Sequence, residues 1–307
     1  MRLLTVRHVT VYRYSEPVRF GEHRMMFRPR ESQDLRLVNT KLDILPRPSK
    51  LRWLHDVFDN SVAIASFDEM ASELRFESTV TLEHEETVLL EYALETAART
   101  YPFQYSNDDM PDLTRAIARR YPSDDLGPWT ARFLKSPEPT TTMTLLRSMT
   151  RGIKEEFTYL RRTAKGVQSP GETLRRGSGS CRDFAVLMME SVRSLGLAAR
   201  FVSGYIYVPP VNASDAVGGG ATHGWMQAYL PGAGWVDFDP TNSIVGNRNL
   251  IRVAVAWDQG NALPLWGTFS GSASSFRGMQ VDVSVVEETV PIGETTTPPP
   301  AANPLLA

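Results

Sequence analysis

Apolar and polar residues alternate through most of the first 85 positions. Val9 and Val11 alternate with His8, Thr10, Tyr12 and Tyr14. Leu35 and Leu37, then Leu42 and Ile44, keep the same spacing of two. Leu74, Phe76, Val80 and Leu82 are separated by Glu73, Arg75, Glu77, Thr79, Thr81 and Glu83. A period of two puts one set of side chains on each face of a strand. Asp59-Asn60, between Trp53-Leu54 and Val62-Ala63-Ile64, predicts a hairpin turn. Residues 1–85 therefore predict an antiparallel β-sandwich-like domain. Residues 86–110 lose the period and carry Tyr101-Pro102-Phe103 and Ser106-Asn107-Asp108-Asp109, which predict a connector.

The period then lengthens. Pro111 to Tyr121 and Thr141 to Phe157 have apolar residues at helical spacing, the second at Leu145, Leu146, Met149, Ile153 and Phe157. Ser169-Pro170-Gly171-Glu172 is a capping box with proline at the first helical position, so a short helix should run to about Arg176. From Cys181 the residues Phe184, Leu187, Met188, Ser191, Val192 and Leu195 fall on one helical face, and Gly196 can close it. Strands are expected at 200–208, 224–230, 235–239, 253–257 and 280–286. The fold expected is α+β. A catalytic region over 111–290 follows the β domain, and the Pro-rich 291–307, with Pro298-Pro299-Pro300, reads as a disordered tail.

Composition narrows the setting. With 307 residues the chain has room for two domains, and its 42% hydrophobic residues are ample for a core. A net charge of −2 points to neither nucleic acid nor an anionic membrane as partner. The first residues alternate like a strand and lack the continuous apolar core of a signal peptide. One cysteine forms no internal disulfide, which suits a reducing compartment, so a cytoplasmic setting is expected.

That one cysteine carries the candidate chemistry. Gly177-Ser178-Gly179-Ser180 leads into Cys181 where the amphipathic helix begins. Unpaired N–H groups and a partial positive charge at a helix start favour a thiolate. A thiolate nucleophile needs a base, and the base needs an orienting group. Of the five histidines, His8, His23, His55 and His84 precede the helices, and His8 and His23 read as structural. His223 follows Cys181 at the start of a strand, and Asp239 closes the next one. Asp183, one turn into the helix, is expected to cap backbone or pair with an arginine, and Arg182 to be a packing or solvated residue. Cysteine and histidine spacings show no zinc pattern, so neither metal nor cofactor is expected.

Strand register makes the pairing of His223 with Asp239 testable. Directly opposed, paired positions sum to 462, which needs an odd-numbered hairpin loop or a bulge. Gly232 and Gly234 can take the positive φ such a loop requires. A plain four-residue loop pairing Leu230 with Trp235 would send the two side chains to opposite faces.

Gly179-Ser180-Cys181-Arg182-Asp183-Phe184-Ala185, His223-Gly224-Trp225 and Phe238-Asp239-Pro240-Thr241-Asn242 resemble the transglutaminase-like superfamily of papain-type thiol enzymes. His8 to Tyr14, Pro17-Val18, His23 and Arg28-Pro29-Arg30 resemble the β-rich N-terminal domain of its bacterial members, so the resemblance spans about residues 1 to 285. It implies a papain-like catalytic core with nucleophile Cys181, base His223 and orienting acid Asp239. The chain departs from the family at Gly224, where alanine is usual, and this is expected to be harmless. The activity implied is acyl transfer from a peptide or glutamine-type amide, with hydrolysis by a peptidase or amidase expected ahead of amine transfer by a transglutaminase. A binding module that keeps the fold without turnover is the contrasting class. The Cys181 amide is expected to be one oxyanion donor, with Tyr159 and Trp225 the candidates for the second.

Overall fold

A computed structural model of the chain describes residues 1–86, 94–134, 138–161, 166–209 and 219–288. The Pro-rich tail lies outside them. Strand β1 spans Arg2–Met25, β2 Leu35–Leu45, β3 Lys50–His55, β4 Ser61–Ser66 and β5 Met70–His84. They lie in the order β2-β5-β1-β4-β3, all antiparallel. The alternation read from sequence is the burial pattern of β5, where Leu74, Phe76, Val80 and Leu82 are buried between more exposed neighbours. The turn at Asp59-Asn60 joins β3 to β4, and Asp59 has φ 61°.

Short strands β6 (Thr100–Tyr101) and β7 (Thr140–Thr141) pair with each other, around helices α1 (Met110–Ile117) and α2 (Gly127–Ala131). Helix α3 (Thr142–Glu156) is capped by Thr141, whose side chain accepts from the Thr144 amide. Strand β8 (Thr158–Tyr159) follows. Helix α4 (Pro170–Arg176) begins as the capping box predicts, with the Glu172 amide donating to Ser169 Oγ at 3.2 Å. Strand β9 (Ser178–Gly179) leads into α5 (Cys181–Ser194). A second antiparallel sheet holds β10 (Ala199–Ile206), β11 (His223–Leu230), β12 (Gly234–Asp239), β13 (Ile244–Val245) and β14 (Leu250–Ala256), in the order β13-β12-β11-β10-β14. The apolar face of α5 packs on this sheet: Phe184, Leu187, Met188 and Val192 share a core with Phe201, Met226, Ala228, Val236 and Phe238.

The last strands correct the expected partition. The sequence pattern puts residues 265–287 in the catalytic region, but β15 (Leu265–Ser270) and β16 (Phe276–Glu287) both pair with β1. The chain leaves the N-terminal sheet, builds the core, and returns. β1 makes this possible by its length of 24 residues: its first half lies between β5 and β16, its second between β4 and β15. The predicted β domain is thus one seven-stranded sheet joined through β1. Strand periodicity alone cannot tell which sheet a strand joins. The two sheets meet in a shared cluster of Leu4, Val6, Leu35, Val80 and Leu82 with Tyr205, Tyr207, Ile251 and Val253.

Candidate active site

Two contacts fix the entry to α5. β8 runs parallel to β9, with the Leu160 amide donating to Gly179 O at 2.8 Å, which draws Tyr159 alongside the approach to Cys181. The Asp183 carboxylate then closes the helix start. Oδ2 accepts from the Ser180 amide and hydroxyl, each at 2.8 Å, and Oδ1 from the Gln168 amide at 2.7 Å. Asp183 is the backbone cap expected of it. Gly179 is required there, because a Cβ would come within 2.8 Å of Asp183 Cβ. Cys181 is therefore the first residue of a well-capped helix, and its side chain is buried at 7% exposure.

The β11–β12 turn decides the register. Leu230 pairs with Gly234 and Tyr229 with Trp235, so three residues form the loop and paired positions sum to 464. Pro231 and Gly232, the latter at φ 88°, fill the central positions of a turn closed by the Ala233 amide on Leu230 O, and Gly234 follows at φ 70°. The odd loop places His223 and Asp239 on the same face. They are offset by two residues, on a diagonal, rather than directly opposed as the 462 register had it. His223 Nε2 meets Asp239 Oδ2 at 2.8 Å, and both side chains are fully buried. The Asp239 carboxylate is held in turn by the Thr241 amide at 2.9 Å and Asn242 Nδ2 at 2.8 Å. These two holders went unassigned at the sequence level, although the Asp-Pro-Thr-Asn turn was the signal for them.

His223 Nδ1 is buried and has no polar partner besides the Cys181 thiol. The Cys181 thiol neighbours the ring and acts on it both through charge and as a hydrogen-bonding partner. Burial pushes the thiol up, but His223, the Arg182 guanidinium and the Gly224 amide outweigh it and hold it below a free thiol. Burial likewise opposes charge on His223, and Asp239 and the thiolate overcome it, raising the imidazole well above its ordinary value. Asp239 is lowered against its own burial by His223, Asn242 and Thr241. All three shifts favour thiolate, imidazolium and carboxylate in a row. Arg182 thus adds positive charge beside Cys181, beyond the packing role expected.

Tyr159 and Trp225 separate. The Tyr159 hydroxyl is pushed up to about 12 by burial and by Cys181, so it stays protonated beside the thiol. Trp225 stacks on the His223 ring at 5.8 Å between centroids, and its Nε1 donates to Asp237 Oδ1 at 2.6 Å. That donor is engaged, so Trp225 is a wall of the imidazole and not an oxyanion donor. Gly224 is also not neutral to its surroundings: a Cβ there would meet the Phe201 ring at 3.0 Å and Arg182 Cγ at 3.2 Å. Among the described residues no cluster of three or more His, Cys, Asp or Glu is placed to hold a metal, and no helix is long and apolar enough to cross a membrane.

Residues 4–83 match the model of the bacterial transglutaminase-like N-terminal region, and residues 129–240 that of the transglutaminase-like superfamily. An uncharacterized protein of Mycobacterium tuberculosis is 29% identical over 303 aligned residues, covering 91% of each chain. One of Mycobacterium leprae is 25% identical over 287, covering 92% of this chain and 98% of its own. The crystal structure of a proposed cysteine protease from Cytophaga hutchinsonii shares the fold, with a TM-score of 0.69 at 18% identity over 94% of this chain and 92% of that one. The chain belongs to the transglutaminase-like superfamily, with the bacterial N-terminal region preceding its core.

Proposed function

We propose that the protein cleaves peptide or glutamine-type amides through Cys181, His223 and Asp239, as a cysteine peptidase or amidase. The observation that carries this is the buried His223–Asp239 pair at 2.8 Å, whose ring neighbours a thiol of lowered proton affinity. The Cys181 thiolate attacks the amide carbonyl carbon and an oxyanion forms. As the C–N bond breaks, the His223 imidazolium gives its proton to the leaving amine, leaving a thioester on Cys181. Water then attacks the thioester, its proton passes to His223, and the acid leaves from a regenerated thiolate. The Cys181 amide, first in its helix, has no intrahelical acceptor and serves the oxyanion. The protonated Tyr159 hydroxyl is the second donor. Asp239 keeps the ring oriented and charged.

Water is the acceptor in this reading, with an amine acceptor as the alternative. A single thiolate nucleophile works only when reduced, which supports a cytoplasmic setting. The test is a peptide and amide library, with and without a primary amine, against wild type and Cys181→Ala. Cleavage by the wild type alone, without added amine, is the expected result. Product only when the amine is present would sink hydrolysis. Iodoacetamide labelling of Cys181 no faster than in the urea-unfolded chain would sink the enzyme reading altogether.

A further inference from the structure

Odd-numbered positions of β11 and β12 share one face, and an apolar strand pair would be expected to fill it with hydrophobic groups. It carries instead His223, Trp225 and Gln227 opposite Asp237 and Asp239. Asp237 is 3% exposed and works as a junction. Its Oδ1 accepts from Trp225 Nε1 at 2.6 Å and Gln227 Nε2 at 2.9 Å. Its Oδ2 accepts from Arg252 on β14 at 3.0 Å. The same guanidinium reaches out of the core to Asp34 Oδ1 of the N-terminal region, at 2.5 Å. Asn247 holds the other Asp34 oxygen. Arg30 and Arg200 add positive charge around the junction. At the inner end, the Trp225 ring stacks on His223.

We infer that Asp34, Arg252, Asp237 and Trp225 form a positioning relay through which the N-terminal region sets the orientation of the His223 ring. A carboxylate with three donors has little rotational freedom. It fixes the plane of the Trp225 indole, and the indole limits the tilt of the imidazole beside it. Asp239 alone holds Nε2 but leaves rotation about that hydrogen bond open, and the stacked indole limits that rotation and so the aim of Nδ1 at the thiol. Arg252 makes the core's Asp237 and the N-terminal region's Asp34 parts of one ion network. The role assigned to the N-terminal region is to complete the base. Trp225 meets only the face of the imidazole and the other three do not contact the triad, so they position rather than catalyse. The inference rests on the proposed thiolate–imidazolium pair.

The test is the rate of Cys181 alkylation by iodoacetamide across pH in Asp34→Ala, Trp225→Phe and the double variant, with thermal midpoints alongside. The groups facing His223 (Cys181 and Asp239, with Tyr159 and Arg182 beside the thiol) are unchanged in all three. Each single variant should slow neutral-pH alkylation roughly two- to thirty-fold and move its midpoint toward that of a free thiol. The double variant should be no slower than the slower single, since both cut the same relay. If Asp34→Ala does not fold, Asp34→Asn carries the same expectation. Lower thermal midpoints with wild-type alkylation profiles would reduce the network to a structural one and overturn the inference. So would effects that multiply in the double variant. A wild-type Cys181 that alkylates like an unfolded thiol would instead overturn the proposed function, and this inference with it.

Discussion

His8, His23 and His84 of the N-terminal region are buried as deeply as His223 of the core, at 1%, 3% and 2% exposure against 0%. Their chemistry runs the other way. Burial lowers His8 to about 4, and its ring nitrogens meet only the Tyr205 hydroxyl and Thr10. Burial lowers His23, bonded to Gly21 O, and His84, bonded to Leu250 O. His223 alone of the four has a carboxylate in hydrogen-bond contact, and it alone is raised. Burial disfavours the charged imidazole in both regions, and an ionised partner reverses the outcome. The N-terminal sites favour a neutral imidazole, and the His223 site favours a charged one.

The contrast breaks first at the reacting atoms. Cys181→Ala or His223→Ala should cut kcat for amide hydrolysis by about 10^6-fold, the scale seen when a member of a coupled nucleophile–base pair is removed. Asp239→Ala should cost about 10^4-fold and make His223 resemble His8, with a lowered proton affinity. Tyr159→Phe should lower kcat by about 10^2- to 10^3-fold with little change in KM, the loss expected for one oxyanion donor. Equal changes in both constants would remove Tyr159 from that role. Substitution of His8 by Phe should leave kcat unchanged and cost about 1–3 kcal/mol of stability, by stranding the Tyr205 hydroxyl. Gly224→Ala should cost about 1 kcal/mol in thermal unfolding, as Phe201 and Arg182 give way to the new Cβ.

The pH dependence follows from the signs of the shifts. Because the thiol is lowered, thiolate is gained as pH rises through a value below the free thiol's. Because His223 is raised, the imidazolium proton is kept until pH passes well above the ordinary histidine range. The rate of amide cleavage should be bell-shaped, with its plateau between these two limits. In Asp239→Ala the alkaline limb should move to lower pH.

Much of the site was legible in the chain, because each part has a local cause. The helix start at Cys181 follows from a glycine-rich approach and an amphipathic period, and the structure places it there. His223 and Asp239 fall at strand ends that period-two spacing locates, although the three-residue Pro-Gly loop offset them by two positions. Non-local features were not legible. The return of 265–287 to β1 depends on long-range pairing across more than 200 residues, for which a strand pattern holds no address. The Asp34–Arg252–Asp237 link joins residues far apart in sequence, and no local pattern marks it.

The thiolate–imidazolium pair is tested most directly by NMR titration of the imidazole nitrogens in wild type and Cys181→Ala. In the wild type His223 should be protonated at pH 7 while His8, His23 and His84 are neutral, and loss of the thiolate should lower the His223 midpoint. A neutral His223 at pH 7, with a midpoint indifferent to Cys181, would contradict the account.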